Sequence, residues 1–250
     1  MKVLAITQAR TGSTRLPNKI LKKINEETLL EIHIQRILKS KKIDKLIIAT
    51  TTAPADDAIA RIGEKVHTAV YRGSEDDVLD RFYQTAKTIK PEWVVRLTSD
   101  CPLIDPILID QVIELAQKEN ADYCSNTLLE KFPDGQDVEV FKFTALEEAW
   151  KYAKLNSERE HVTPYIRKNS TMENADRFKS LNFDTPEDYG YLRMTVDEPK
   201  DFDLIEKLVI ELGTDKSWQE YVSHILEHQL FTINTGITRN EGLLKSLKKD

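Results

Sequence analysis

MKVLAITQARTGSTRLPNK, residues 1–19, runs from the apolar stretch Val3-Leu4-Ala5-Ile6 directly into a polar loop, Gln8 to Lys19. A buried first strand ends where the polar residues begin, and a helical pattern follows from about Thr28. An open α/β sheet places its ligand at such a strand end. The loop holds Arg10, Arg15 and Lys19 within twelve residues, together with Gly12, Ser13 and Thr14. Three cations, hydroxyls and a turn that exposes backbone N–H groups suit a polyphosphate. Neither G-x-x-x-x-G-K-S/T nor G-x-G-x-x-G occurs, which argues against a P-loop ATPase and an ordinary dinucleotide fold.

Working outward, strands and helices alternate. Leu29, Leu30, Ile32, Ile37 and Leu38 form an apolar helix face, followed by the strand Lys45 to Thr50. A helix from about Ala55 to Lys65, a short strand Ala69-Val70-Tyr71, a helix from about Asp76 to Ile89 and the strand Trp93 to Leu97 come next. Strands separated by helices of this length need crossovers. The pattern therefore predicts a three-layer, Rossmann-like α/β fold with a mostly parallel sheet.

The same sheet edge collects further polar groups. Thr50-Thr51-Thr52 closes the second strand, either as ordinary turn chemistry or facing a substrate. Arg72-Gly73-Ser74 closes the third; Ser74 is placed to cap the next helix, and Arg72 either reaches a phosphate or holds the loop together. Asp100 follows the Trp93 strand and faces the cationic loop, where it is placed to hold Mg²⁺ against phosphate oxygens. Asp105, before Pro106, reads instead as a helix N-cap.

Asp197 closes a strand-like run, Arg193 to Val196, and is the second candidate metal ligand. The similar segment Phe183 to Asp188 lacks such a run before it, so Asp197 is preferred to Asp184. Around Phe132 the character changes. Phe132 to Gln136 is turn-like, and Asp137 to Phe141 alternates as a half-exposed strand does. Helical segments follow at about Ala145–Lys154 and Glu158–Arg167. Asp134, Gln136, Asp137 and Glu139 offer acceptors for sugar hydroxyls, and His161 is either a substrate contact or structural.

Two hundred and fifty residues suit a single domain, 1–250, with 132–170 as a small excursion. A net charge of −6 argues against a general nucleic-acid binder. Two cysteines, Cys101 and Cys124, make no disulfide or zinc framework. Mean hydropathy is −0.46, no stretch is long and apolar enough for a membrane span, and no leader pattern is visible, so a cytoplasmic protein is expected.

Seven segments in order carry a resemblance: QARTGSTRLPNKIL, YRGSEDDVLDRFY, RLTSDCPLIDP, FPDGQDVEVF, REHVTPYI, RMTVDEPKDF and RNEGLLKSL. They resemble the sugar cytidylyltransferases that make CMP-sialic acid and CMP-3-deoxy-octulosonate, and in particular the spore coat polysaccharide biosynthesis cytidylyltransferases. The resemblance implies a nucleotide-diphospho-sugar transferase (GT-A-like) fold and a Mg²⁺-dependent transfer of CMP from CTP to an acidic or amino sugar, with pyrophosphate released. It implies catalytic roles for Arg10, Lys19, Asp100 and Asp197, with the two aspartates as metal ligands. It implies nucleotide contacts from Gln8, Arg10, Gly12, Ser13, Arg15, Lys19, Arg72 and Ser74, and sugar contacts from the 132–170 region and His161. It also implies a homodimer, and a C-terminal tail that docks on its own domain or on a partner subunit. Another nucleotide donor, or a nucleotide-sugar binder without turnover, remain the alternatives.

Overall fold

The structure is a computed structural model that describes residues 2–250. Its first strand, β1 (Val3–Gln8), is buried on both faces, with Leu4 and Ile6 facing one apolar layer and Val3 and Ala5 the other. A strand read as continuously apolar is what a sheet covered on both sides requires. Two short strands, β2 (Lys23–Ile24) and β3 (Glu27–Thr28), form a separate antiparallel pair. Helix α1 (Leu29–Ile37) starts on Thr28, whose hydroxyl accepts from the Glu31 amide while the Glu31 carboxylate accepts from the Thr28 amide.

The chain then alternates through β4 (Lys45–Thr51), α2 (Asp57–Lys65), β5 (Ala69–Gly73), α3 (Val78–Lys87), β6 (Trp93–Thr98) and α4 (Pro106–Lys118). Next come β7 (Tyr123–Ser125), β8 (Glu139–Lys142), α5 (Phe143–Tyr152), α6 (Asn156–His161) and α7 (Pro164–Lys168). The last elements are β9 (Ser180–Asn182), α8 (Pro199–Leu212), α9 (Trp218–Glu227) and α10 (Glu241–Leu247). The seven-stranded sheet has the order β5-β4-β1-β6-β8-β7-β9, and only β8 runs against its neighbours. Helices α1, α4, α8 and α9 cover one face, and α3, α5 and Ile166 of α7 cover the other. This is the three-layer, mostly parallel architecture expected from the alternation.

Chain order reverses at β1. Its crossover to β4 lies on one side and β6 pairs on the other, with Gln8 opposite both Ala49 and Thr98. Such a switch point opens a crevice at the carboxyl ends of the strands.

Three local expectations are corrected. Residues 139–142 do not leave the main sheet; β8 is inserted antiparallel beside β6, and Glu139, Val140 and Phe141 are all buried rather than half-exposed. The helix expected across Glu158–Arg167 breaks at Val162, which adopts φ 72° while the Thr163 amide donates to the His161 carbonyl at 2.8 Å. Pro164, which has no amide hydrogen, then opens α7. Finally, Arg193–Val196 forms no strand. It is extended chain held by a single bridge between Arg193 and Asp134 and by the Val196 amide on the Asp100 carbonyl at 2.8 Å.

Candidate active site

The loop after β1 is built around Thr11. Its amide and hydroxyl donate to Asp56 at 2.8 and 2.7 Å, and its carbonyl accepts from the Ser13 amide at 2.8 Å. Burial alone would raise the Asp56 carboxyl, but hydrogen bonds from Thr51 and Thr11 overcome it and hold the group below its ordinary value. The Thr50–Thr52 segment thus contributes Thr51 to loop support. Asn18, at φ 56°, turns the chain so that Lys19 points back across the strand ends.

Lys19 is the centre of the site. Its Nζ donates to Asp100 Oδ2 at 3.0 Å and to Asp197 Oδ1 at 2.8 Å. Burial would lower the ammonium, but the two carboxylates outweigh it and hold it above the ordinary lysine value. Burial likewise pushes Asp100 up, yet Lys19 dominates and the carboxyl sits well below the usual range. Arg15 reaches Asp197 Oδ1 at 3.0 Å with one nitrogen and Glu241 Oε2 of α10 at 3.1 Å with the other.

Asp100 and Asp197, from loops nearly a hundred residues apart, therefore converge on one cation. Hard carboxylate oxygens already sharing a positive charge fit a divalent ion such as Mg²⁺, which takes one or two carboxylates and completes its shell with phosphate and water. Among the described residues no cluster of three or more His, Cys, Asp or Glu side chains is arranged as a closed metal cage. An open, two-carboxylate site is what a metal carried in with a polyphosphate needs.

The surrounding cleft encloses about 990 Å³ and brings together Gln8, Arg10, Gly12, Ser13, Arg15, Lys19, Asp100 and Asp197. Asp134, Asp137, Glu139 and His161 line the same cleft. Burial and neighbouring Asp137 push the Asp134 carboxyl up to about 7, against the pull of Arg239 and Arg193. Glu139 is committed to Arg96, Tyr123 and Thr163, and these partners overcome its burial and keep it ionised. Burial and Arg96 lower the His161 imidazole, whose Nε2 lies 3.2 Å from Ser246 Oγ of α10.

Other expected residues stand outside the cleft. Arg72 is spent on the Thr51 and Ala53 carbonyls at 2.9 Å and on Asp57 at 2.7 Å, so it ties β5 to the β4 loop. Ser74 accepts from the Asp77 amide at 3.1 Å in front of α3. Neither lines the cleft. Gln136 is fully buried, donating to the Leu103 carbonyl at 2.9 Å and accepting from the Asp105 amide at 3.0 Å, which leaves nothing for a sugar. Asp105 caps α4 through the Ile107 and Leu108 amides. Asp184 does follow a strand, β9, but it pairs with Lys131 at 2.9 Å and does not line this cleft.

A family model described as "Cytidylyltransferase" matches residues 4–233. The chain belongs to the cytidylyltransferase family. An uncharacterized protein of Methanocaldococcus jannaschii, MJ1063, is 46% identical over 85% of this cytidylyltransferase and 83% of its own length. The spore coat polysaccharide biosynthesis protein SpsF of Bacillus subtilis is 34% identical over 84% and 88%. A cytidylyltransferase structure from Leptospira borgpetersenii superposes with a TM-score of 0.87 at 31% identity, covering 96% of this chain and all of that one.

Several cleft residues of the cytidylyltransferase escaped the sequence reading. Arg96 lies within the apolar strand β6, and Arg81 lies on the apolar face of α3. In each case a charge occupies a position that the hydrophobic period assigns to the core, and that misfit was the available signal. The C-terminal helix α10 also lines the cleft, through Glu241, Lys245 and Ser246. It docks on its own domain, where Ser246 bonds Glu160 and Asp250 accepts from the Ser157 amide.

Proposed function

We propose that this cytidylyltransferase transfers CMP from CTP to a hydroxyl of a sugar, with release of pyrophosphate, for surface polysaccharide or glycan assembly. The observation that carries the reading is the Lys19 ammonium held between Asp100 and Asp197 at the β1–β6 switch point. The acceptor hydroxyl attacks the α-phosphorus and gives up its proton to solvent, the bond to the bridging oxygen breaks, and pyrophosphate departs on the opposite side. Arg10, Arg15 and Lys19 neutralise charge on the β and γ phosphates, while Gln8, Gly12 and Ser13 shape the loop around them. Mg²⁺, when bound to Asp100 and Asp197, supplies Lewis-acid polarisation of the α-phosphate. Asp134, Asp137 and His161 line the cleft and on this reading orient an acidic or amino sugar, while Glu139, held by Arg96, Tyr123 and Thr163, shapes the wall beside them. The SpsF name supports a polysaccharide setting. A cytoplasmic homodimer belongs to the same reading, and sedimentation showing only a 28.8 kDa species at micromolar concentration would remove the dimer.

The test is thermal denaturation with CTP, UTP, GTP and ATP, each with and without Mg²⁺. A ligand at about a hundred times its dissociation constant adds roughly 2.7 kcal/mol. Selective stabilisation by CTP with Mg²⁺ is expected; a larger shift from UTP, GTP or ATP would move the donor assignment to that nucleotide, and equal shifts from all four would remove selectivity for cytosine from the reading. Asp100→Asn with Asp197→Asn should reduce pyrophosphate release by at least on the order of 100-fold while leaving the fold intact. Retained turnover would take both residues out of the mechanism.

A further inference from the structure

Arg81 is a buried cation without an anionic partner. Only 1% of it is exposed, yet it lines the cleft together with Val78, one helical turn earlier on the same face of α3. Its Nη1 donates to the Ser74 carbonyl at 2.7 Å, while its Nε is buried and has no hydrogen-bond partner. Of the nearby carboxylates, Asp77 is committed to Arg159 and Asp56 to Thr11 and Thr51, while Glu75 is exposed and forms no ion pair with Arg81. Gly73 leaves room for the side-chain stem, since a Cβ there would lie 3.3 Å from Arg81 Cγ. Burial and the neighbouring charge of Arg10 hold the guanidinium down, to about 10.

An unpaired buried charge beside a second cation is costly in a folded protein. A ligand anion removes both costs at once, because it supplies the missing acceptor and separates the like charges. From this geometry we infer that Arg81 binds a phosphate oxygen of the nucleotide, sharing the anion with Arg10. The inference rests on the nucleotidyl-transfer reading for the identity of the ligand, but the anion site itself follows from Arg81.

The experiment compares wild type, Arg81→Met and Arg81→Lys by calorimetric titration with CTP, tripolyphosphate and cytidine, alongside thermal denaturation without ligand. Met keeps the apolar stem and removes the charge. The expected result is a ligand-free melting temperature equal to or above wild type, with CTP and tripolyphosphate bound about 10- to 100-fold more weakly. Lys keeps a charge but not the fork, and should fall between the two. A Met variant that melts lower yet binds both ligands as wild type does would overturn the inference. So would a loss confined to CTP with tripolyphosphate unaffected, which would put Arg81 on the base. If Met fails to fold, Lys decides by the same titrations. Wild-type protein that binds tripolyphosphate through Arg81 but not CTP would overturn the nucleotide reading and leave the anion site standing. Wild type that binds neither would overturn both.

Discussion

Arg193 Nη2 lies 3.0 Å from Asp197 Oδ2, so the other oxygen of that carboxylate is turned toward Lys19. The same guanidinium, 7% exposed as a side chain, pairs with Asp134 and with Asp201, whose carboxylate also accepts the Asp197 and Glu198 amides at 3.0 Å. Beside it, Gly135 at φ 106° packs against the Met194 backbone, where a Cβ would come within 2.5 Å. One buried arginine therefore fixes the angle at which Asp197 enters the cleft.

Arg193→Met leaves three carboxylates around an apolar side chain and should cost about 3–5 kcal/mol of stability by chemical denaturation. Arg193→Lys keeps the charge but loses the fork that grips three partners. It should lower turnover about tenfold or more with a smaller loss of stability. If turnover and stability fall in step across both variants, Arg193 supports the fold without orienting Asp197.

The ion pair between Arg15 and Glu241 predicts competition at the cleft. Ser246 is the one buried residue of α10, so this helix rests chiefly on polar contacts and belongs to the easily opened part of the molecule. A triphosphate has to draw Arg15 from Glu241. Glu241→Gln should therefore tighten CTP binding by about two- to fivefold at low salt, less at high salt, as measured by calorimetry. Weaker binding would mean that Glu241 holds Arg15 in place for the nucleotide.

His33 makes acid stability measurable at one residue. It is fully buried under β1, with Nε2 2.9 Å from Thr7 Oγ1 and Nδ1 2.8 Å from the Cys101 carbonyl. Burial pushes the imidazole down to about 4, against the pull of the Cys101 carbonyl and the Asp100 charge. The folded state keeps His33 neutral while the unfolded chain takes a proton below about 6.5. Stability is thus full above that value and declines as pH falls toward 4, by on the order of 3 kcal/mol from this group. His33→Gln should be less stable at pH 7 but lose less between pH 6.5 and 4 in denaturant titrations. An unchanged slope would assign the acid sensitivity to the carboxylates.

The elements legible in advance were those whose signals lie along the chain. Val3–Ile6, Leu46–Ile48 and Val94–Val95 read as buried parallel strands because both sheet faces demand apolar side chains. Asp105 before Pro106 read as a cap because capping is completed within three residues. The cleft position of Arg10, Arg15, Lys19 and Asp100 was legible because strand ends on one edge are brought together by topology, whereas Asp197 reaches the cleft from a segment that forms no strand. For Arg72 the structure shows the loop-holding alternative, and Gln136 is spent on backbone groups of the 103–105 segment, partners that the chain pattern does not reveal.

By itself the sequence determined the layered α/β fold, the edge that carries the cationic loop and the charges gathered there. These follow from periodicity and local hydrogen bonding, which act over a few residues. Tertiary structure alone decided that Lys19 bridges carboxylates 81 and 178 residues away, that Arg193 orients one of them, and that Arg81 is left without an anionic partner. Whether a charge is solvated, spent on a neighbour or kept for a ligand depends on what faces it across space. Contacts of that range exist only once burial has brought the two sides together.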